Sequence, residues 1–236
     1  MSAPTALVLA APGTNRDHDV AFALELAGAT PRIALLAEVL ANPALIAGAQ
    51  MLVVAGGFSY ADALGAGRMW SLQLTHGVGD ELAAFVARGR PVIGICNGFQ
   101  VLTAAGLLPG ALGHNAGGHF QCEWVRLEVP ASACVWTQGL DPIECPIAHG
   151  EGRYVHPDPA ALAAAGHVAL TYAGRNPNGS VDAIAGVCDE SGVVLGLMPH
   201  PENHVLARQH PRHARGTGRG LGLPLFERGV RHASEV

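Results

Sequence analysis

Three stretches of this chain, Ala6–Ala10 (ALVLA), Met51–Ala55 (MLVVA) and Pro91–Ile95 (PVIGI), are apolar without alternation. A strand with one wet face alternates apolar and polar residues. A strand that does not alternate is covered on both faces, and such strands belong to parallel sheets flanked by helices. Arg32–Leu36 extends the pattern, and helical spacing fills the gaps between these runs. Val20, Leu24 and Ala27 mark one face of a helix that Gly28 ends. Trp70–Arg88 contains a second helix, clearest over Asp80–Arg88 and stopped by Gly89, and Asn97–Ala105 reads as a third. The expected fold is therefore α/β: an open, mostly parallel twisted sheet with helices on both faces.

The centre of the chain reads differently. Trp124–Val129, Cys134–Trp136 and Ile143–Ala148 are short candidate strands separated by turns, which predicts a small antiparallel extension. A short helix follows over Ala160–Ala165, then strands over Val168–Ala173, Ala183–Cys188 and Val193–Met198, with turns at Asn178-Gly179 and Ser191-Gly192. Arg208–Gly222 reads as a loop and Leu223–His232 as a terminal helix. No internal repeat and no domain-sized linker interrupts the chain, so residues 1–236 are expected to form one domain.

Composition narrows the class of function. The 236 residues are 49% hydrophobic, much of it alanine, and only 5% aromatic, which suits layers packed with small side chains. A formal charge of −5 leaves no basic footprint for nucleic acid. No stretch approaches the roughly 18 apolar residues that span a bilayer, and MSAPTALVLAAPGTN lacks the basic start of a signal peptide. The five cysteines, Cys96, Cys122, Cys134, Cys145 and Cys188, are odd in number and widely spaced. They read as reduced thiols in a cytoplasmic setting, without a disulfide framework or zinc ribbon. His204, His210 and His213 fall in an Arg-rich stretch that reads as a flexible loop, and His114 and His119 fall in another loop. Neither group offers the three or four convergent ligands that zinc needs, so no metal site is expected.

One cysteine stands apart. GICNGFQ at 94–100 sets Cys96 between Gly94 and Gly98, at the end of one apolar run and the start of a helix. A cysteine after a strand is ordinarily an inert small apolar group. The pattern Gly-x-Cys-x-Gly in a strand–turn–helix context is, however, the cysteine form of the nucleophile elbow. The carboxyl ends of strands are where open α/β sheets bind ligands. The helix that follows aims its amides and dipole at the sulfur and favours its anionic, nucleophilic form. The amide of Asn97 can serve as one half of an oxyanion hole, and Gly57, just after MLVVA, is the natural source of the other half. MPHPEN supplies partners, since His200 and Glu202 lie just beyond the strand over Val193–Met198. Two residues apart in extended chain they point the same way, so the carboxylate can orient the imidazole while the ring takes the thiol proton.

With these residues the chain resembles the class I (triad) glutamine amidotransferases. Within that family it is most similar to the branch formed by the glutaminase subunits of phosphoribosylformylglycinamidine synthase, a purine-biosynthesis enzyme. The similarity rests on APGTN (11–15), GGFSYAD (56–62), GICNGFQ (94–100), GLLPGAL (106–112), AHGEGRY (148–154), NPNGS (176–180) and MPHPE (198–202). The resemblance implies that Cys96 attacks the side-chain amide of L-glutamine, with His200 as base and then acid, Glu202 orienting it, and Gly57 and Asn97 as oxyanion donors. It places Phe58, Ser59 and Gln100 in the glutamine pocket, and Asn115 and Phe120 in a segment that closes over it. Ammonia would pass to a large synthetase subunit, with room for a small third subunit in the complex. ATP and magnesium would bind on that synthetase, because this chain has no G-x-x-x-x-G-K-[ST] loop and no cofactor is expected on it.

AHGEGRY and NPNGS read most simply as polar turns. The sharper expectation is that His149, Glu151 and Arg153 form a docking face for the synthetase. The chain departs from the family pattern at Asn15, often cysteine, at Ala61 and Gly65, where glycine and arginine are expected, and at Asn203, where arginine is expected. Two alternatives stay open: a cysteine hydrolase of the DJ-1/PfpI type, in which histidine commonly follows the nucleophile directly, and a non-catalytic regulatory subunit on the same fold.

Overall fold

The computed structural model describes residues 3–215 and 221–236. In chain order the strands are β1 (Thr5–Ala10), β2 (Thr30–Leu35), β3 (Met51–Val54), β4 (Val92–Ile95), β5 (Ala111–Gly113), β6 (Gln121–Glu128), β7 (Ile143–His149), β8 (Arg153–Val155), β9 (Val168–Tyr172), β10 (Ile184–Cys188) and β11 (Val194–Leu197). The helices are α1 (Asp17–Leu26), α2 (Leu36–Ala41), α3 (Ala44–Gly48), α4 (Arg68–Ala87), α5 (Asn97–Ala104), α6 (Pro159–Ala164) and α7 (Leu223–Ala233).

Nine strands form one sheet in the order β2-β1-β3-β4-β11-β10-β9-β6-β7. The first five run parallel, and β10, β9, β6 and β7 continue the sheet antiparallel. The mixed α/β architecture is the one expected, with an extension that is four strands wide. β3, β4 and β11 are buried at every residue, as their unbroken apolar sequences require. β7 instead alternates, with Ile143, Cys145, Ile147 and His149 turned inward. α1 packs against α7, whereas α4 packs against α3 and α5, so the helices form two separate groups over the sheet.

Several expectations need correction. Cys134–Trp136 is a turn and not a strand. Its backbone bonds run to single residues of other segments, Val135 N donating to Gly192 O at 2.9 Å, and the buried Trp136 ring anchors it by donating Nε1 to Val193 O at 3.0 Å. α2 and α3 fill a stretch that carried no helical reading, and β5 and β8 pair as a separate two-stranded ribbon. α4 is longer than its legible part because Val78, between Gly77 and Gly79, leaves helical geometry at φ −144° and divides it. Only the second half keeps an uninterrupted pattern. The Arg-rich loop is not a free loop where described: His204 and His210 are 0% and 2% exposed. Residues 216–220 of the expected loop lie outside the described residues.

Candidate active site

Cys96 sits between β4 and α5 at φ 51° and ψ −104°, a conformation that side-chain-bearing residues rarely adopt. Such strain persists only where the surroundings enforce it. Here a glycine on each side lets two backbones close up. A Cβ on Gly98 would lie 1.9 Å from Val54 O, and one on Gly94 would lie 2.5 Å from Gly98 O. Helix α5 thus rests directly on β3 and β4. The amide of Cys96 donates to Leu197 O at 2.8 Å, which clips the elbow to β11. The sulfur is almost buried and lies 3.8 Å from the carbonyl of Ala148 on β7.

The chain leaving β11 brings His200 to the same place. Its Nδ1 lies 2.6 Å from Oε1 of Glu202, and both side chains are buried. Its backbone amide donates to Pro146 O on β7 at 2.9 Å. Gly56 leaves room for the ring, since a Cβ there would lie 3.0 Å from His200 Cε1. Burial pushes the imidazole pKa down, but the negative charges of Glu202 and of the Cys96 sulfur outweigh it and hold the pKa up at about 10. Cys96 and His200 line one cleft of about 180 Å³ with Asn15, Arg16, Gly57, Phe58, Phe120 and Ala148. The nucleophile, base and orienter named from the sequence therefore meet in space.

The amide of Asn97 is the first of helix α5, where the helix itself offers no acceptor. Gly57, at φ 148°, sits between Asn15 and Phe58, whose amides are committed to Gly56 O and Gly13 O at 3.4 and 3.0 Å. A Cβ on Gly57 would lie 2.7 Å from Asn15 N, so only glycine fits there. Gly57 lines both cavities that reach Cys96, and Asn97 follows Cys96 directly in the chain.

A second cavity of about 210 Å³ opens from Cys96 and is lined by Phe58, Asp62, Gln100, Phe120, His149 and Glu151, among others. Gln100 is held at both ends, accepting from Asn97 Nδ2 at 2.9 Å and donating to Glu151 O at 2.6 Å. Phe58 and Phe120 are about half exposed, with ring centroids 6.2 Å apart, and form the mouth. Ser59 and Asn115 line neither cavity. Ser59 is buried behind the wall, its amide donating to Asn97 Oδ1 at 3.3 Å. Asn115 is also buried and acts as a pin: its Nδ2 donates to His119 O and His149 O, each at 2.9 Å, and its Oδ1 accepts from His149 Nδ1 at 3.1 Å and Gly152 N at 3.0 Å.

The expected docking face changes most. His149 is 2% exposed and lines the cavity, so it cannot present a surface to a partner. Burial, then the charge of His200, hold its pKa down at about 4, so the ring is neutral at pH 7. The alternation of Ile143, Cys145 and Ile147 carries the signal for this, because His149 is in phase with them. Glu151 is partly buried, and its main-chain carbonyl serves Gln100. Arg153 is exposed, its Nε donating to Gly179 O at 3.1 Å. NPNGS is more than a surface turn. Asn178 is buried, donates Nδ2 to Gly152 O at 2.7 Å and accepts from Ser180 Oγ at 2.7 Å, while Ser180 Oγ accepts from Tyr154 N at 3.0 Å. The motif thus holds AHGEGRY in place.

Asp62 carries no signal of its own in the sequence, yet it lines the cavity with its pKa raised by burial and then by Glu151. Of the departures from the family pattern, Asn203 donates to Asp19 Oδ2 at 3.0 Å, and Ala61 takes the glycine-like φ of 52°. Among the described residues no three His, Cys, Asp or Glu side chains converge as a metal site. No helix among them is long and apolar enough to cross a membrane.

Known proteins give the site its setting. Subunit PurQ of phosphoribosylformylglycinamidine synthase from Treponema denticola is 42% identical over 97% of this chain and 98% of its own. The Frankia casuarinae subunit of that name is 46% identical over 82% of each chain. Among solved structures, PurLQS from Thermotoga maritima superposes with a TM-score of 0.81 and 36% identity, over 97% of this chain and 98% of that one. A glutamine amidotransferase from Thermotoga maritima, 16% identical with a TM-score of 0.62 over 99% of each chain, shares the fold. The model of the CobB/CobQ-like glutamine amidotransferase domain matches residues 3–233, and the chain belongs to that family.

Proposed function

We propose that this chain is the glutaminase subunit of phosphoribosylformylglycinamidine synthase, working as one domain over residues 1–236 in the cytoplasm. The meeting of Cys96 and His200 in one cleft, with Glu202 bonded behind the ring, carries the reading. Relatives of that name matching most of the chain support the pathway.

The sulfur attacks Cδ of the glutamine side chain, and the carbonyl oxygen becomes an oxyanion beside the amides of Gly57 and Asn97. Removing one such donor ordinarily costs about 3 kcal/mol in the transition state. His200, held protonated by Glu202, gives its proton to the amide nitrogen as the C–N bond breaks and ammonia leaves. A glutamyl thioester remains on Cys96. His200 then takes a proton from water, whose oxygen attacks the thioester carbon and releases glutamate and the sulfur. Gln100, Phe58 and Phe120 border the amino-acid end of the substrate. Ammonia passes to the ATP-dependent synthetase subunit, which aminates formylglycinamide ribonucleotide. Arg153, the one exposed member of the expected docking trio, is the candidate contact with it.

Reconstitution with the synthetase tests this. Cys96→Ala should abolish glutamine-dependent amidine formation and leave ammonium-dependent formation intact. Unchanged glutamine use by the variant would refute the reading. Arg153→Ala should weaken co-purification, and wild-type binding with normal coupled turnover would remove the docking role.

A further inference from the structure

β7 is the last strand of the sheet, so one of its edges has no neighbouring strand. Main-chain carbonyls two residues apart on a strand face the same way. On β7 three such carbonyls in succession meet the proposed nucleophile, the proposed base and the short turn beyond the base. Ala148 O lies 3.8 Å from the Cys96 sulfur. Pro146 O accepts from the His200 amide at 2.9 Å. Glu144 O accepts from Nδ1 of His204. Pro146 suits such an edge because proline disturbs no ladder there.

His204 is built into this contact. It is fully buried, with its ring 5.0 Å from that of Trp124 and 5.4 Å from that of His210. His210 is buried as well, 4.5 Å from Trp124, with Nε2 3.2 Å from Oε1 of Glu144, where Arg212 also pairs at 3.2 Å. The carbonyl of His204 accepts from Gly222 N at 2.8 Å, just before α7. None of these side chains lines the cleft that holds Cys96 and His200.

We propose that His204 is a positioning residue: by donating to Glu144 O it seats the turn carrying His200 and Glu202 on the free edge of β7 and so fixes the imidazole against the sulfur. This rests on the reading of Cys96 and His200 as nucleophile and base. The ionisable groups facing His204 include His210, which with Arg212 pairs with Glu144, and those around His200 include Glu202, Cys96 and His149.

The test compares His204→Asn with His204→Leu, side chains of one shape that differ in the amide donor. The readout is the rate of Cys96 alkylation by iodoacetamide against pH, which needs neither glutamine nor the synthetase. Cys122 is replaced by serine throughout, because it is exposed. The leucine variant should react about tenfold more slowly at pH 7, with its profile moved up by about one pH unit, and asparagine should restore most of the rate. A wild-type profile in the leucine variant, or equal defects in both variants, would overturn the proposal. Should the leucine variant not fold, His204→Gln, whose donor reaches one bond too far, takes its place with the same expectation and the same refutation. His200→Ala is the control. If it leaves the profile unchanged, the nucleophile–base pairing itself is wrong and the role of His204 falls with it. If it shifts the profile while His204→Leu does not, the role of His204 alone is wrong.

Discussion

Cys96 and His200 reach the same cleft by different means. Cys96 takes its geometry from glycines on either side, β4 before it and the start of α5 after it, packed on β3 and clipped to β11 within the parallel half of the sheet. His200 follows β11 only by a short turn, and its seat is made by Pro146, which lies 54 positions earlier in the chain, the difference between 200 and 146. One is placed by the parallel half of the sheet and the other by the antiparallel half. The proposed nucleophile is therefore set by the parallel strands around it, whereas the proposed base depends also on the far strand of the antiparallel extension. Damage to the first should act through strain and packing, and damage to the second through orientation and charge.

The largest effect separates the two halves most clearly. Glu202→Gln keeps the shape but lets His200 lose its proton at lower pH, because the main influence raising its pKa is gone. Glutamine hydrolysis should fall by about 10²- to 10⁴-fold, as when the orienting carboxylate of a comparable triad is made an amide, with an unchanged far-ultraviolet spectrum. An NMR titration should find the His200 transition well below pH 10; its persistence near 10 would show that the charge of the Cys96 sulfur, and not Glu202, holds the ring protonated. Gly98→Ala probes the local half. Inside a helix alanine is normally favoured over glycine by about 0.5–1 kcal/mol, but here its Cβ would meet Val54 O at 1.9 Å. The clash should win, lowering stability by about 1–3 kcal/mol in denaturant titration.

His149 tests the far side of the cleft. Its folded pKa of about 4 lies below its unfolded value near 6.5. The unfolded chain binds the extra proton, so stability present above pH 6.5 is lost as pH falls toward 4. His149→Asn can still donate to Asn115, and its acid-unfolding midpoint should move to lower pH. The smallest effect belongs to Ala61, held at φ 52°. Ala61→Gly should raise stability by up to about 1 kcal/mol, relief of left-handed strain exceeding the added freedom of the unfolded chain.

The same division decides what could be read from the sequence. Short-range rules wrote the parallel strands, the elbow and the reach from His200 to Glu202, and these were legible. The unbroken burial of β3, β4 and β11 leaves its mark on consecutive residues, as does the need for glycine at 94 and 98. His149 misleads because AHGEGRY is polar, and polarity says nothing of which way a strand faces; the alternation along β7 does. Cys134–Trp136 has strand-like residues but takes its bonds from distant Gly192 and Val193. The burial of His204 and His210 depends on Trp124, some eighty positions away, and no local pattern announces it.

An unpaired strand margin invites other chains to add to it. The stretch that carries the proposed base also seals the margin of β7, so function and colloidal behaviour are joined in five residues. Variants that unseat this stretch should lose activity and self-associate together, and screens for soluble expression would enrich intact active sites without assaying them.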